Sequence, residues 1–413
     1  MSLSCRFSTM VTSVLFCPCV GCPGLLAAAL VGKQGHSRDL LFLLLLLTLP
    51  LFLLLECRSR VCVHVPGVFT AIAMLLGSPH VVFGQGLPLT HCMTLFQASH
   101  QALASSVFFL LWAAEQRKGS GAMGHSLAMA SEYITYKGVL FPGLLYFPEE
   151  LSYLEDKFLV WDDDLFIVTS PSQGTNWMLE ILSLIRCDGD PGWVLSVLNW
   201  DRAPWLESQQ WLKSALKYPS PRLLCSHLPS QLFPKSLQRS KAKIIYTLRC
   251  PKDVLVSFYH FSKVLHIFKT SESLDSFLED FLSGNVPFGS WFDHIIGWMG
   301  LKGSENFFSI TYEELQQDLA GSVRRICHFL GQELSEEQVA AVVENASFES
   351  MKGNKMSNFS QVPDNYMDHQ QGSLLRKGIC GDWRNHLSEA QSQRFDTIYR
   401  ERMQGLGITF PWD

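Results

Sequence analysis

The sequence has no excess of basic residues. It contains 33 Lys and Arg against 38 Asp and Glu, so its formal net charge is -5, and its pI is about 6.2. Proteins that bind nucleic acids or anionic membranes through a general surface usually carry the opposite balance. The charge therefore excludes such a surface, and we expect no nucleic-acid partner.

The sequence also lacks paired cysteines with the spacing of a metal site or a disulfide framework. The stretch "CPCVGC" ends at Cys22, and no second ligand pair follows at a suitable spacing. We therefore expect no bound metal. Cysteines scattered singly through a long chain indicate reduced thiols. The single cysteines are Cys187, Cys225, Cys250, Cys327 and Cys380.

Residues 1–128 differ in composition from the rest of the chain. Their strongest feature is the apolar run from Leu40 to Leu55, which Pro50 interrupts. The run is short of the roughly 20 residues that span a bilayer, so it is compatible with a signal anchor or the core of a signal peptide. We favour the alternative that this segment is not part of the functional protein, since Met123 or Met129 could start a complete domain. Membrane contact is expected only if the apolar run is functional.

Residues 129–413 have the pattern of one α/β domain. Strand-like runs occur at 164–170, 242–249 and 306–315, and each is followed by a helical pattern, at 177–185, 253–264 and 314–330. Alternation of this kind predicts a central, mainly parallel sheet flanked by helices. No internal repeat or low-complexity linker divides the segment.

The stretch "FIVTSPSQGTNWMLEIL" (166–182) predicts a strand, a tight turn and a helix. A loop between a buried strand and a helix start can bind an anion, because its N–H groups are unpaired and the helix dipole adds positive potential. Gly174 lets a ligand approach the backbone closely. The loop contains no Lys or Arg and lacks the GxxxxGK[ST] pattern of a Walker loop.

Three further stretches contain candidate functional residues. His227, in "CSHLP", lies near an expected strand end, where reactive groups of α/β proteins gather. Arg249 and Ser257, in "RCPKDVLVSFYHF", could both reach one phosphate, and the basic turn of "RKGICGDW" (376–383) could enclose an anion. A structural histidine, an ordinary helix start and a solvated turn are the alternatives at these positions.

Taken together, the four stretches resemble the cytosolic sulfotransferases over essentially all of 129–413. That family has TYPKSGTxW, [KS][TS]HLP, RNPKDVxVSxYHF and RKGxxGDW in the same order. Here the matching stretches are "TSPSQGTNW", "CSHLP", "RCPKDVLVSFYHF" and "RKGICGDW". Stretches such as "YKGVLFP", "GSWFDHIIGW" and the terminal "FPWD" resemble the hydroxysteroid subgroup, particularly its cholesterol-sulfonating type.

The resemblance implies transfer of a sulfonate group from 3'-phosphoadenosine 5'-phosphosulfate to the hydroxyl of a steroid or other alcohol. It implies a cytoplasmic protein without a metal, with His227 as the general base. It also implies Trp200 and Trp205 in the acceptor pocket. The implied nucleotide-binding residues are Ser172, Gln173, Gly174, Thr175, Asn176, Trp177, Arg249, Ser257, Tyr312, Ala346, Ser347, Phe348, Glu349, Ser350, Met351, Arg376, Lys377 and Gly378.

The loop departs from the family pattern at its charged position. Ser172 stands where the family has a Lys that contacts the 5'-phosphate, Gln173 replaces a Ser, and Ser170 replaces a Tyr. Loss of a preorganised group that stabilises developing charge costs about 2.7–4 kcal/mol. The alternative function is therefore a non-enzymatic or strongly impaired homologue that binds the nucleotide or a sterol.

The segment that matches the family's dimer motif also differs. The family has KxxxTVxxxE, whereas residues 384–393 read "RNHLSEAQSQ". Glu389 replaces an apolar residue, and a buried acid without a partner weakens an interface. We expect a weak homodimer or a monomer.

Overall fold

The structure is a computed structural model that describes residues 133–413. The expected domain start at residue 129, the run from Leu40 to Leu55 and the Cys17–Cys22 cluster lie outside the described residues. Within 133–413, no helix combines the length and apolar character needed to cross a membrane.

A four-stranded parallel sheet forms the centre of the domain. Its strands are β3 (Leu165–Val168), β4 (Leu223–Ser226), β5 (Lys243–Leu248) and β6 (Phe307–Thr311), in the spatial order β4-β3-β5-β6. Every residue of β3 and β4 is buried, as expected for a parallel sheet covered on both faces. The predicted α/β fold and its three strands are confirmed. A separate hairpin pairs β1 (Tyr133–Tyr136) with β2 (Val139–Pro142).

Helices connect the strands and cover the sheet. In chain order they are α1 (Pro148–Lys157), α2 (Thr175–Ile185), α3 (Gly192–Ser196), α4 (Asn199–Arg202), α5 (Gln209–Ala215), α6 (Pro251–Val264), α7 (Leu274–Ser283), α8 (Trp291–Met299), α9 (Tyr312–Gln317), α10 (Leu319–Leu330), α11 (Glu336–Asn345), α12 (Phe348–Gly353) and α13 (Glu389–Met403). Short 3₁₀ turns occur at Ser230–Leu232, Lys235–Arg239 and Asp382–Asn385.

The sheet separates two apolar clusters. Phe166 and Val168 of β3 pack into one cluster, whereas Leu165 and Ile167 pack into the other. Successive side chains of a strand point to opposite faces, so each strand contributes to both clusters. Because the strands are buried on both faces, the positions at which β3 and β4 end are fixed. The starting positions of the loops that follow them are therefore fixed as well.

The prediction of one helix from 314 to 330 is wrong. The chain forms α9 and α10, which are separated at Asp318, whose backbone has φ -149° and ψ 86°. The Asp318 carboxylate accepts a hydrogen bond from the Gly321 N–H at 2.8 Å. Aspartate competes with helical backbone bonding in this way and favours a helix start. The apolar periodicity continues from α9 into α10, so the pattern alone did not indicate that the helix is interrupted.

Two buried ion pairs fix the starts of β3 and β4 and the position of α4 beside the sheet. Arg222 bonds both carboxylate oxygens of Asp164, at 2.7 and 2.5 Å, and joins the starts of β3 and β4. Arg202, at the end of α4, bonds Glu180 of α2 at 2.7 Å. A buried ion pair of this kind costs about 3–5 kcal/mol when one partner is removed. The chain that follows α4 is therefore fixed against α2.

Candidate functional site

The loop between β3 and α2 presents unpaired N–H groups. None of the backbone N–H groups of residues 172–176 donates to another described residue. Gly174 is the N-cap of α2 with φ 93°, and a Cβ added to it would lie 2.8 Å from the Tyr312 ring. The loop therefore has the predicted anion-binding arrangement at a helix N-terminus.

Ser172 and Gln173 take different directions in this loop. Ser172 is half-buried and has φ 65°, a left-handed conformation that is uncommon for a residue other than glycine. Gln173 is fully buried. With its amide assigned so that both neighbours are satisfied, its oxygen accepts from Trp291 Nε1 at 2.6 Å and its nitrogen donates to the Thr247 carbonyl at 2.8 Å. The Gln173 side chain thus points into the core, and the residue contributes only its backbone N–H to the unpaired N–H groups of the loop.

His227 follows β4 and lies beside the loop. Its Nδ1 is 2.7 Å from the Thr169 carbonyl oxygen, so Nδ1 carries the proton and Nε2 has a free lone pair. Burial lowers the pKa of His227 to about 4, while the bond to the Thr169 carbonyl opposes that shift. The imidazole is therefore neutral at pH 7 and can accept a proton at Nε2.

Two aromatic rings enclose the His227 ring. The Trp205 ring centroid is 4.5 Å away and the Phe288 centroid is 5.1 Å away. The backbone of Trp205 is paired with that of Cys225 in β4 by an isolated β-bridge. Phe288 has φ 68° and donates its N–H to the Leu140 carbonyl at 2.7 Å. The predicted Trp205 thus lies against His227. Phe288 also contacts His227, and sequence reasoning missed it.

A buried carboxylate holds the backbone of His227. Glu207 Oε1 accepts the His227 N–H at 2.7 Å, and Glu207 is only 1% exposed. This residue was also missed, although its position two residues after Trp205 was a usable signal. Trp200, by contrast, packs against Phe359 with centroids 5.5 Å apart, and no contact joins it to His227 among the described residues.

Several of the predicted nucleotide-binding residues contact one another, in two places. Trp177 donates its Nε1–H to the Ala346 carbonyl at 2.8 Å, and its ring meets Tyr312 edge-on at 5.0 Å. Phe348 packs so closely on Gly378 that an added Cβ would lie 2.2 Å from the ring. Sequence reasoning thus found side chains from four distant segments that the fold brings together.

The segment from Ala346 to Met351 is fixed in place by burial and by the hydrogen bonds at the start of α12. Ala346 and Met351 are buried, and Glu349 is exposed in the first turn of α12. Ser347 caps α12 by accepting the Ser350 N–H at 3.2 Å, and the Ser350 hydroxyl donates to the Glu344 carbonyl at 2.8 Å. Phe348 is the residue of this segment that packs against Gly378 of the basic turn.

At the other end of the site, Arg249 lies under the basic turn. It is 8% exposed and its guanidinium lies 4.3 Å from the Tyr312 ring centroid. Nη2 donates to the Ile379 carbonyl at 2.8 Å, whereas buried Nε has no partner among the described residues. Ser257 lies half-buried on α6, and its hydroxyl forms no hydrogen bond within 133–413. Both donors are available to an anion.

Arg376 and Lys377 converge on one buried carboxylate. They bond the two oxygens of Asp382 at 2.7 and 2.6 Å. Burial by itself raises the pKa of Asp382, but the hydrogen bonds from Lys377, Asn385 and Arg376 outweigh it and hold that pKa well below its usual value. The two cations are therefore fixed in place, and the charge of the turn is partly balanced by Asp382.

The turn is itself attached to α6. Asp253 accepts the Gly381 N–H at 2.6 Å and the Trp383 N–H at 3.0 Å. These bonds keep the turn over Arg249, in the position that the sequence pattern predicts. The five unpaired N–H groups, the orphaned Arg249 Nε and the crowded glycine at 378 fit a nucleotide with phosphates at both ends. No cluster of three metal-ligating side chains is present in 133–413.

Comparisons with known proteins agree with this geometry. A family model described as a sulfotransferase domain matches residues 162–407. Sulfotransferase 2B1 of Rattus norvegicus is 54% identical over 288 residues, which are 70% of this chain and 84% of that protein. Sulfotransferase 2A1 of Homo sapiens is 44% identical over 286 residues, which are 69% of this chain and 100% of that protein.

A solved structure has the same fold. The crystal structure of mouse sulfotransferase SULT7A1 complexed with PAP superposes with a TM-score of 0.56 at 29% identity, covering 66% of this chain and 94% of that one. The resemblance to the hydroxysteroid subgroup is confirmed, because its 2B1 and 2A1 members are among the relatives found. On its sequence, fold and site together, the chain belongs to the sulfotransferase family.

Proposed function

We propose that this protein transfers the sulfonate group of 3'-phosphoadenosine 5'-phosphosulfate to the hydroxyl of a steroid or related alcohol. The observation that carries the proposal is the double role of Thr169. Its carbonyl accepts the His227 Nδ1–H at 2.7 Å, and its hydroxyl lies 2.6 Å from that of Thr175, the first residue of α2. Thr169 thus fixes the base, His227, relative to residues 172–176, which are called the anion loop below.

The nucleotide supplies the sulfonate group when it is bound and leaves as the bisphosphate. The chain's part is to bind it at both ends, with the amides of 172–176 at the 5' side and with Arg249 and residues 376–378 at the 3' side. Fixed donors of this kind need no reorganisation as negative charge grows. The mouse relative SULT7A1 was crystallised in complex with PAP, which supports the same nucleotide class here.

His227 acts on the acceptor hydroxyl. Its Nε2 lone pair is directed away from Thr169, and the neutral ring can take the hydroxyl proton as the oxygen attacks sulfur. The Trp205 and Phe288 rings, which both contact the imidazole, offer flat apolar surfaces, which suit a steroid because its binding is mainly apolar burial. The names of the relatives, among them 3-beta-hydroxysteroid sulfotransferase of Cavia porcellus, support this acceptor class.

An active enzyme is favoured over the impaired homologue that Ser172 suggested. The family relatives found at 52–54% identity are named as sulfotransferases, and the base is present and correctly tautomerised. The loop retains its N–H groups even though Ser172 adds no charge. We therefore propose that Ser172 sets the rate rather than abolishing the reaction.

We further propose that residues 129–413 form the catalytic domain, that the protein is cytoplasmic, and that it is a weak dimer or a monomer. All the site residues lie between 169 and 378. The compartment is inferred from the resemblance to cytosolic sulfotransferases. Glu389 begins α13, where an acid is favoured by the helix dipole, and it accepts a hydrogen bond from Gln393 at 3.1 Å. Those two side chains thus bond each other within one chain, which is consistent with weak dimerisation.

The first test is sulfonate transfer to pregnenolone and cholesterol by the full chain. We expect His227→Ala to lower kcat at least 100-fold, because general base catalysis contributes about 10²–10⁴, while calorimetry shows unchanged PAP affinity. His328→Ala, at an exposed position on α10, is the matched control. A His227→Ala protein with native turnover would refute the assignment of the base.

A second test restores the charge of the loop. Ser172→Lys is expected to raise kcat at least tenfold, because a cation that stabilises the leaving group is worth about 2.7–4 kcal/mol where it is fully effective. Ser172→Met supplies similar length without charge and should leave kcat near the native value. Equal turnover in the native and Ser172→Lys proteins would mean that another group already supplies the missing charge.

A third test concerns the pH dependence of stability. Burial raises the pKa of Glu207 to about 7 from its ordinary value of 4.5. Between those values the folded state binds more protons than the unfolded state, so the free energy of unfolding falls as pH rises from 4.5 to 7. The loss attributable to Glu207 is about 3 kcal/mol.

Glu207→Gln keeps an oxygen that can accept the His227 N–H but cannot titrate. Denaturant unfolding from pH 4.5 to 7.5 should therefore show a smaller decline in the variant than in the native protein. The comparison uses the slope against pH, because the constant cost of burying the new amide cancels from it. Identical slopes would contradict a raised carboxyl pKa at this position.

A further inference from the structure

Gln173 is a buried amide in a loop whose other polar groups face the nucleotide site. It is 0% exposed, and neither the anion loop nor the base requires its side chain. The family pattern has a serine at this position, and a serine hydroxyl is too short to reach what Gln173 reaches. The glutamine is therefore a feature of this chain that the proposed reaction leaves unexplained.

The amide of Gln173 joins three parts of the structure. The Trp291 Nε1–H can only donate and the Thr247 carbonyl can only accept, so we assign the amide with its oxygen toward Trp291 Nε1, 2.6 Å away at the start of α8, and its nitrogen toward the Thr247 carbonyl, 2.8 Å away in β5. Trp291 is 1% exposed, and its indole N–H forms no other hydrogen bond within residues 133–413. Both bonds are buried, where water does not compete for them.

These contacts lie between the two halves of the nucleotide site. Thr247 is two residues before Arg249, the buried cation at the 3' end. Trp291 follows the turn that holds Phe288 against His227. A residue that ties the loop to β5 and α8 thus fixes the loop relative to the 3'-phosphate group and to the acceptor wall at the same time.

The neighbour of Gln173 explains why such an anchor is needed. Ser172 has φ 65°, and a strained backbone of this kind persists only where its surroundings determine it. The 172–176 amides converge on an anion only while this conformation is kept. A loop with a lysine can gain binding from charge even when it is imperfectly ordered, whereas a loop without one depends on the placement of its N–H groups.

We propose that Gln173 is a positioning residue that holds the anion loop in its binding conformation before the nucleotide arrives, through its bonds to Trp291 and Thr247. Preorganisation lowers the ordering cost of binding and substitutes here for part of the missing charge. The proposal rests on the proposed function for the identity of the nucleotide, but the order of the empty loop is independent of it.

The test removes the bonds in two ways, of which the Gln173 variant also keeps the side-chain volume. Gln173→Met has similar length without hydrogen-bonding groups, and Trp291→Phe removes the indole N–H. Gln238→Met is the matched control, since Gln238 is exposed and forms no hydrogen bond through its side chain in the described part of the chain. The native protein, these three variants and the Gln173→Met/Trp291→Phe double variant, all full-length, are studied without nucleotide by amide hydrogen exchange and with PAP by titration calorimetry.

We expect exchange of the Trp177 and Met178 N–H groups, which donate to the Gly174 carbonyl of the loop at 3.0 Å, to accelerate at least tenfold in Gln173→Met and Trp291→Phe, with the interior of β3 and the rest of α2 unchanged. The Kd for PAP should rise about tenfold in Gln173→Met and less in Trp291→Phe, which keeps the bond to Thr247. The double variant should match Gln173→Met, because the bond to Trp291 is already lost there. Native exchange and native PAP affinity in Gln173→Met would overturn the proposal. So would exchange that accelerates equally across the domain, since that indicates only lost stability.

The two measurements separate this proposal from the proposed function. Failure of the native protein to bind PAP would refute the nucleotide assignment, while exchange of the empty loop would still report whether Gln173 orders it. Native PAP binding with no effect of Gln173→Met would refute the positioning role and leave the sulfotransferase assignment intact.

Discussion

The hydrogen bond from His227 Nδ1 to the Thr169 carbonyl, 2.7 Å long, is the interaction on which the site depends. It exists because β3 and β4 are parallel neighbours in register, with Val168 opposite Ser226. Both strands therefore end at the same edge, where the chemistry of open α/β sheets is found. The bond selects the tautomer with a free Nε2, so the strand pairing determines which nitrogen can take a proton.

The charge of the site is distributed unevenly. At the 3' end, Arg249, Arg376 and Lys377 are fixed by Tyr312 and Asp382. At the 5' end the loop offers N–H groups and a helix start without a side-chain cation. Under the proposed function, the nucleotide is anchored by charge at one end and by geometry at the other. Because charge would then develop at the 5' end, we propose that the rate depends most on how well that loop is ordered.

Much of the fold was predictable from the sequence because it is set locally. The apolar runs of β3, β5 and β6 and the Gly174 turn are encoded in short segments, and the family resemblance placed His227 and Arg249. The rest depends on distant contacts. The inward direction of Gln173 requires Trp291, and the carboxylate that holds the His227 N–H comes from Glu207, twenty residues earlier in the chain. The break at Asp318 was hidden by apolar periodicity that continues through it.

The most direct measurement is a crystal structure of the full chain with PAP and pregnenolone. The account predicts the 5'-phosphate on the N–H groups of 172–176 and the 3'-phosphate at Arg249 and the 376–378 turn. It also predicts the steroid hydroxyl within hydrogen-bonding distance of His227 Nε2, between Trp205 and Phe288. A nucleotide bound away from the 172–176 loop, or a hydroxyl directed away from His227, would contradict the account.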